Sequence, residues 1–321
     1  MVNDSIKKIA VVEGDGISPE IILEAKKILE IIQEYTSLEF QFQDAPAGGE
    51  VYKEVGSSLP DKSLGVMENS DAILFGAVGL PDLPQGVAEY AILKIRQHFD
   101  EYVNLRPIKL FDSVRDMCPL KEEFIGEGID ISIVRENTEG IYAKIGGTLR
   151  TDEVATNIMV YTKKGVDRII KYAFQLVKSS KKYTKLASVD KANILACSQL
   201  WRERFHKISK NNPSIEIEDL YVDAFCQWLI RKPFAYDVVV TENMFGDIIS
   251  DEAAYLLGSL GMAPSGNINP EGISMYEPIH GSAPDIAGKG IANPIGAILS
   301  VKLMLSESFD QKPIASDIEK A

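Results

Sequence analysis

The chain has 321 residues, 45% of them hydrophobic and 25% charged, and a formal net charge of −13. That balance fits a soluble globular protein of about two domains and argues against disorder and fibres, while the negative field repels nucleic acid and anionic membrane, so neither is expected as a partner. No secretory signal opens "MVNDSIKKIAVVEGDG", no apolar run reaches the ~20 residues of a membrane span, and Cys118, Cys197 and Cys226 read as scattered buried thiols, so a cytoplasmic chain without disulfides is expected.

In chain order, "KIAVVEG" reads as a strand and "SPEIILEAKKILEIIQEY" as the helix after it, with Ser18 as N-cap and Pro19 in the first turn. "DAILFGAVG", "IDISIVREN", "KLASVDKAN" and "DVVVTEN" follow as further strands, each ending in polar residues. Apolar runs alternating with amphipathic stretches indicate an α/β protein, in which ligands gather at the carboxyl ends of strands. Gly14-Asp15-Gly16 resembles the start of a dinucleotide fingerprint, but Pro19 stands where the third glycine belongs. A nucleotide at this place must be held in another way. "SKKYTK" and "SKNNP" read as solvated turns.

The stretch "VVVTENMFGDIISDEA" joins a buried-looking strand to a helix with Asp247 and Asp251 one turn apart, where like charges cost a few tenths of a kcal/mol. Such a pair is either a solvated face or a site for a hard cation, and Asp223 in "IEDLYVDAF" offers a third carboxylate; without His or Cys, the ion would be Mg²⁺ or Mn²⁺. Arg96 in "AILKIRQHF", Arg106 in "VNLRP" and Arg135 in "SIVRENTEG" sit in apolar or strand-end surroundings. Singly each reads as an ion-pair partner; together they could clamp a dicarboxylate. Tyr142 and Lys191 are candidate proton carriers, or else a core tyrosine and a surface lysine.

These segments, with "LWRE", "YVDA", "GSLG" and "EPIHGSAPDIAGKGIANP", resemble in order the β-decarboxylating dehydrogenases that act on isocitrate, homoisocitrate, tartrate or D-malate, and 3-isopropylmalate. The resemblance runs from about Ile9 to about Met304. It implies a two-domain isopropylmalate/isocitrate dehydrogenase-like α/β fold, distinct from the Rossmann dinucleotide fold. Residues 1–101 and 259–321 would form the cofactor-side domain, and 102–258 the dimerisation domain. It also implies a homodimer with shared active sites and a small dicarboxylate substrate. By the same resemblance Arg96, Arg106 and Arg135 hold substrate carboxylates, Asp247 and Asp251 bind the metal with Asp223 of the partner subunit, and Tyr142 and the partner's Lys191 transfer protons.

In the family's NAD enzymes an aspartate at the position of Asp285 accepts the adenosine ribose hydroxyls and would repel the 2′-phosphate of NADP, so NAD is expected. His280, Gly281, Ser282, Ala283, Pro284, Ile286 and Asn293 complete the implied cofactor set, and Glu89 matches the glutamate that isopropylmalate dehydrogenases place beside the nicotinamide. Ile92 and Leu93, four and three residues before Arg96, would meet the substrate's γ-substituent. Two aliphatics suit an isopropyl group better than a carboxylate, which favours 3-isopropylmalate and leucine biosynthesis. "FDEYVNLRP" resembles the D-malate/tartrate branch, and isocitrate or homoisocitrate remain further alternatives. A silent regulatory paralogue would lose a metal aspartate, the lysine or the tyrosine, and none is lost. Ser18 stands where the family carries glycine. The chain ends about 25 residues after "NPIGA" without the family's glycine-rich closing segment, so the first domain's sheet is expected to be affected.

Overall fold

In a computed structural model the described residues are 6–84, 86–149 and 153–321. The chain divides into two compact units, Met1–Glu101 with Leu260–Ala321, and Tyr102–Ser259. Ser259 thus lies with the second unit, not with the first as in the sequence reading.

The first unit opens with β1 (Lys7–Val12), α1 (Ser18–Tyr35), β2 (Phe40–Asp44), α2 (Gly49–Val55), α3 (Asp61–Glu68), β3 (Ala72–Phe75) and α4 (Val87–His98). The second holds β4 (Val103–Lys109), α5 (Glu122–Ile125), β5 (Asp130–Glu136), β6 (Gly140–Leu149), β7 (Val154–Val160), α6 (Lys163–Ser179), β8 (Lys185–Asp190), α7 (Ala196–Ser209), β9 (Glu216–Tyr221), α8 (Val222–Arg231), β10 (Val238–Thr241) and α9 (Asn243–Tyr255). The chain then returns to the first unit with β11 (Pro264–Ile268), β12 (Met275–Pro278), α10 (Ile295–Glu307) and α11 (Lys312–Lys320).

In the first unit the strand order is β2-β1-β3-β12-β11, parallel except for the antiparallel β11–β12 pair. This is not the Rossmann order, in which the first strand lies at the centre of a six-stranded parallel sheet. All five strands precede Ile279, and the described residues after it add the helices α10 and α11. Beneath the sheet Val12, Leu59, Met67, Phe75, Ile95 and Met275 pack together, and each such buried side chain stabilises the unit by roughly 1.5–3 kcal/mol. α1 buries Ile21, Ile22, Ala25, Leu29 and Ile32, the spacing of one helical face. Its N-cap is Ile17; Ser18 is the first helical residue, and its hydroxyl donates to the Ala77 carbonyl at 3.0 Å. The expected cap is therefore a link between α1 and the end of β3.

In the second unit the order is β4-β5-β10-β8-β9, with β4 antiparallel to β5 and the others parallel. β10 is the central strand, and its four residues are all buried, as a parallel strand covered on both faces requires. α6 buries Val166, Ile169, Ile170, Ala173, Phe174 and Val177, and the Thr162 hydroxyl caps it by accepting the Gly165 N–H at 3.0 Å. β6 and β7 form a separate antiparallel hairpin. Cys118 is buried, but Cys197 and Cys226 are half-exposed. Tyr183 in the supposed solvated turn is partly buried, with its hydroxyl 3.0 Å from that of Ser132. Among the described residues no helix is long and apolar enough to cross a membrane.

Candidate active site

The second unit builds its site at the carboxyl ends of β5 and β10. Arg135 lies next to the end of β5, opposite Thr241 of β10 and Asn104 of β4, and is buried. α9 starts two residues after β10 ends, and Asn243, Asp247 and Asp251 recur along it every four residues, on one face. Arg135 donates through Nε and Nη2 to Asn243 Oδ1 at 3.2 and 2.8 Å, and through Nη1 to Asp247 Oδ1. Its side chain lies against the helix at Gly246, where a Cβ would stand 2.6 Å from Arg135 Cγ. Only glycine admits the arginine there.

Arg106 on β4 extends the cluster. Its Nη1 donates to Ser250 Oγ at 2.6 Å and Asp251 Oδ1 at 3.0 Å, and its Nη2 lies 3.5 Å from Asp247 Oδ1. Tyr142 on β6 donates its hydroxyl to Asp247 Oδ2 at 2.6 Å, and the Arg135 guanidinium lies 5.3 Å from the centre of the Tyr142 ring. The repulsion anticipated between Asp247 and Asp251 is thus offset by two guanidinium groups. Burial raises the Asp251 carboxyl above its ordinary range, Arg106 opposing this and Asp247 reinforcing it. The donor set suits a hard divalent cation: two carboxylates on one helical face, with hydroxyl oxygen beside them and no sulfur or imidazole.

Asp223 and Lys191 form a separate pair. β8 ends at Asp190, and β9 runs into α8, so Lys191 and Asp223 follow neighbouring parallel strands and meet in a salt bridge. The Lys191 hydrogen bond holds the Asp223 carboxyl below its ordinary value. Arg202 fixes the base of this pair by donating from Nε and Nη2 to the two Asp190 oxygens, each at 2.8 Å. Among the described residues no three His, Cys, Asp or Glu side chains gather as a metal site within the chain.

In the first unit the loop after β12 holds His280, Gly281, Ser282, Ala283, Pro284, Asp285 and Ile286. Ile17 N–H donates to the Ser282 carbonyl at 2.8 Å, and the Ser282 hydroxyl donates to the Gly79 carbonyl at 2.5 Å. Buried Asp15 accepts the N–H groups of Gly49, Glu50 and Gly79 at 2.6, 3.1 and 2.7 Å, which ties the loops after β1 and β3 to the start of α2. A groove of about 420 Å³ is lined by Gly79, Leu80, Leu83, Glu89, Ser282 and Pro284, among others, so Glu89 and the 281–284 loop share one surface. Ala283 has a positive φ of 38°, a strained value for alanine, and Asp285 is exposed. His280 Nδ1 lies 2.9 Å from the Gly281 carbonyl, which leaves Nε2 buried without a hydrogen bond among the described residues. Burial lowers the imidazole pKa, keeping this nitrogen an acceptor. An exposed carboxylate, an orphaned acceptor and a loop rich in backbone polar groups fit a dinucleotide. Asn293 Oδ1 accepts the Ile295 N–H at 3.1 Å at the start of α10.

Arg96 and the two aliphatics lie on α4. Arg96 is buried, and its Nη2 donates to Glu277 Oε1 at 3.2 Å, so an ion-pair role is present whatever else it binds. Neighbouring Glu101 is pushed well above the usual carboxylate range by burial, with Arg96 opposing and Glu277 adding to the shift. Ile92 packs against the unit's core, the simpler of the two roles open to it, while Leu93 is half-buried. Sequence reasoning missed Asn243, Ser250, Asp15 and the Leu80–Leu83 wall. Asn243 was detectable, since it continues the four-residue spacing of the two aspartates.

The isocitrate/isopropylmalate dehydrogenase family model matches residues 8–321. The chain is 45% identical to the 3-isopropylmalate dehydrogenase of Aquifex aeolicus, over 98% of this chain and 87% of that protein. It is 43% identical to the enzyme of that name from Bacillus licheniformis, over 98% and 86%. A crystal structure of isocitrate dehydrogenase from Methylococcus capsulatus is similar with TM-score 0.88 and 35% identity, over 98% of this chain and 89% of that one. The chain belongs to the isocitrate/isopropylmalate dehydrogenase family.

Proposed function

We propose that the protein is a cytoplasmic, NAD-dependent homodimer that oxidatively decarboxylates 3-isopropylmalate to 4-methyl-2-oxopentanoate and CO₂, a step of leucine biosynthesis. The observation that carries this reading is the joining of Arg106, Arg135, Asp247, Asp251 and Tyr142 in one network on α9 and its neighbouring strands. The 43–45% identity to proteins named 3-isopropylmalate dehydrogenase supports the choice of substrate.

Arg106 and Arg135 bind the carboxylate beside the reacting alcohol, with Arg96 as a third cation for the dicarboxylate. Asp247 and Asp251, with Asp223 of the partner subunit, would hold Mg²⁺ or Mn²⁺. A bound divalent ion supplies Lewis acidity that lowers the hydroxyl pKa and stabilises charge on the ketone oxygen. The partner's Lys191 would take the hydroxyl proton as the C–H bond gives up its hydride, for which NAD, when bound, would be the acceptor. Loss of CO₂ leaves an electron pair on carbon, and the Tyr142 phenol supplies the proton. Asp285 and the His280–Ile286 loop hold the adenosine end of NAD, with Asn293 nearby in sequence, and Glu89 lies in the same groove for the nicotinamide end. Leu93, with Ile92 behind it, forms the aliphatic wall for the isopropyl group.

Two observations support the dimer: the separation of the Lys191–Asp223 pair from the α9 cluster, and exposed apolar side chains. Ile248 and Tyr255 on α9, Trp228 on α8, and Ile145 and Ile158 on the β6–β7 hairpin are all exposed. A two-stranded hairpin is marginal by itself, and a second copy supplies the missing cover.

The test is NADH formation with isopropylmalate, D-malate, tartrate, isocitrate and homoisocitrate, each with Mg²⁺ or Mn²⁺. Isopropylmalate should exceed D-malate about 10- to 150-fold in kcat/KM, the value of burying an isopropyl group. A ratio near one would move the chain to the D-malate branch. A preference for NADP would overturn the role given to Asp285.

A further inference from the structure

Behind the cluster stands Tyr161, a buried residue between β7 and the Thr162 cap of α6. Its hydroxyl accepts the Asn243 N–H at 2.8 Å, one of the first-turn amides that a helix cannot satisfy internally. Its ring meets Trp201 edge-on with centroids 6.1 Å apart. Gly140 opens β6 with φ +84°, and a Cβ there would stand 2.3 Å from the Tyr161 hydroxyl oxygen. The phenol therefore sits directly under the strand that bears Tyr142 two residues later. Asn243 continues the connection: its Nδ2 donates to the Glu139 carbonyl at 3.1 Å while its Oδ1 accepts from Arg135. One tyrosine and one asparagine thus join the start of α9, which carries Asp247, the start of β6, which carries Tyr142, and the rotamer of Arg135.

We propose that Tyr161 and Asn243 are positioning residues, which hold Tyr142, Asp247 and the Arg135 guanidinium in a single register without touching substrate or cofactor. Their effect on turnover rests on the dehydrogenase reading above; their effect on α9 does not. A hydroxyl that merely fills a buried hole would matter for stability and for nothing else.

Tyr161→Phe keeps the ring against Trp201 and removes the acceptor. In the intact protein, amide hydrogen exchange at the first turn of α9 should accelerate about tenfold, the effect of losing one buried hydrogen bond, while β1 and β3 stay as in the native chain. In turnover assays kcat should fall about tenfold and KM for the dicarboxylate should rise, with KM for NAD changed by less than about twofold, because the groove given to NAD lies in the other unit. Should Tyr161→Phe fold poorly, Asn243→Asp, which keeps an acceptor for Arg135, should retain more activity and a lower dicarboxylate KM than Asn243→Leu. Native exchange in α9 together with native kcat in Tyr161→Phe would overturn the proposal. If the native protein oxidises no dicarboxylate, the functional reading falls, and the exchange experiment alone decides whether Tyr161 holds α9.

Discussion

The α9 cluster and the Lys191–Asp223 pair lie in the same unit, yet they are built in opposite ways. Around α9, two arginines, two aspartates and a tyrosine are joined by hydrogen bonds from β4, β5 and β6; Arg135 is almost wholly buried, while Asp251, like Asp223, is exposed. Lys191 and Asp223 have one another, and Asp190, bridged to Arg202, stiffens their base. The first region is a network of several partners, and the second is a single ion pair. On the proposed reading the proton acceptor and third carboxylate lie apart from the metal aspartates, and a second copy would complete the site.

Substitutions in the network should have the largest effects. Asp247→Asn removes a proposed metal ligand and the charge facing Arg106 and Arg135, so kcat should drop by about three orders of magnitude. It should also lower stability by roughly 1–3 kcal/mol, because buried Arg135 loses an ionic partner. Relief of repulsion from Asp251 is the smaller effect. Turnover at saturating Mn²⁺ and urea unfolding measure the two separately, and a variant that is both active and more stable would show that Asp247 is a spare surface carboxylate. Lys191→Ala, in contrast, should lose turnover by about two orders of magnitude with little change in stability, since an exposed ion pair is worth under about 1 kcal/mol. An equal loss of stability in both variants would erase the contrast between the regions.

Gly246→Ala sharpens the comparison without touching a charge. Its Cβ would meet Arg135 Cγ at 2.6 Å, so the arginine must shift, and KM for the dicarboxylate should rise about tenfold at a cost of roughly 1–3 kcal/mol in stability. The effect on turnover is smallest at Glu242, beneath the network. Burial first, then Asp190 and Glu136, raise its carboxyl to about 7 against the hydrogen bond from Ser198. The folded state therefore holds this proton more tightly than the unfolded chain. The resulting contribution to stability is fully present below pH 4.5 and is lost as pH rises through about 7, a change on the order of 3 kcal/mol. Glu242→Gln should unfold at higher urea than the native protein at pH 8 and at nearly the same urea at pH 5. Parallel pH profiles for the two proteins would show that this carboxyl does not titrate in the window.

What the sequence disclosed follows from how each part is built. Side-chain chemistry at a fixed spacing could be read directly, as with Asp247 and Asp251, and the arginines stood out because charge in an apolar run needs a reason. The spacing of α1 and the buried run of β10 were legible for the same reason. Contacts between distant segments were hidden. Nothing local to Ser18 distinguishes a cap from a link to Ala77, and nothing in "GDG" shows that Asp15 binds three amides from two other segments. Ile92 illustrates the same limit, since a residue before Arg96 on an amphipathic helix can face a ligand or the core, and only packing decides.

The central claim, that one chain holds two halves of a site completed by another copy, is tested most directly by mixing two inactive variants. Asp247→Asn and Lys191→Ala chains are unfolded together, refolded and assayed for NADH formation with isopropylmalate. In a hybrid dimer the site with intact Asp247 receives Lys191 from the Asp247→Asn chain, so one site is whole. With half of the dimers hybrid, about a quarter of native activity should return. If both residues serve the same chain's site, every chain stays defective, and the mixture will be as inactive as either variant alone.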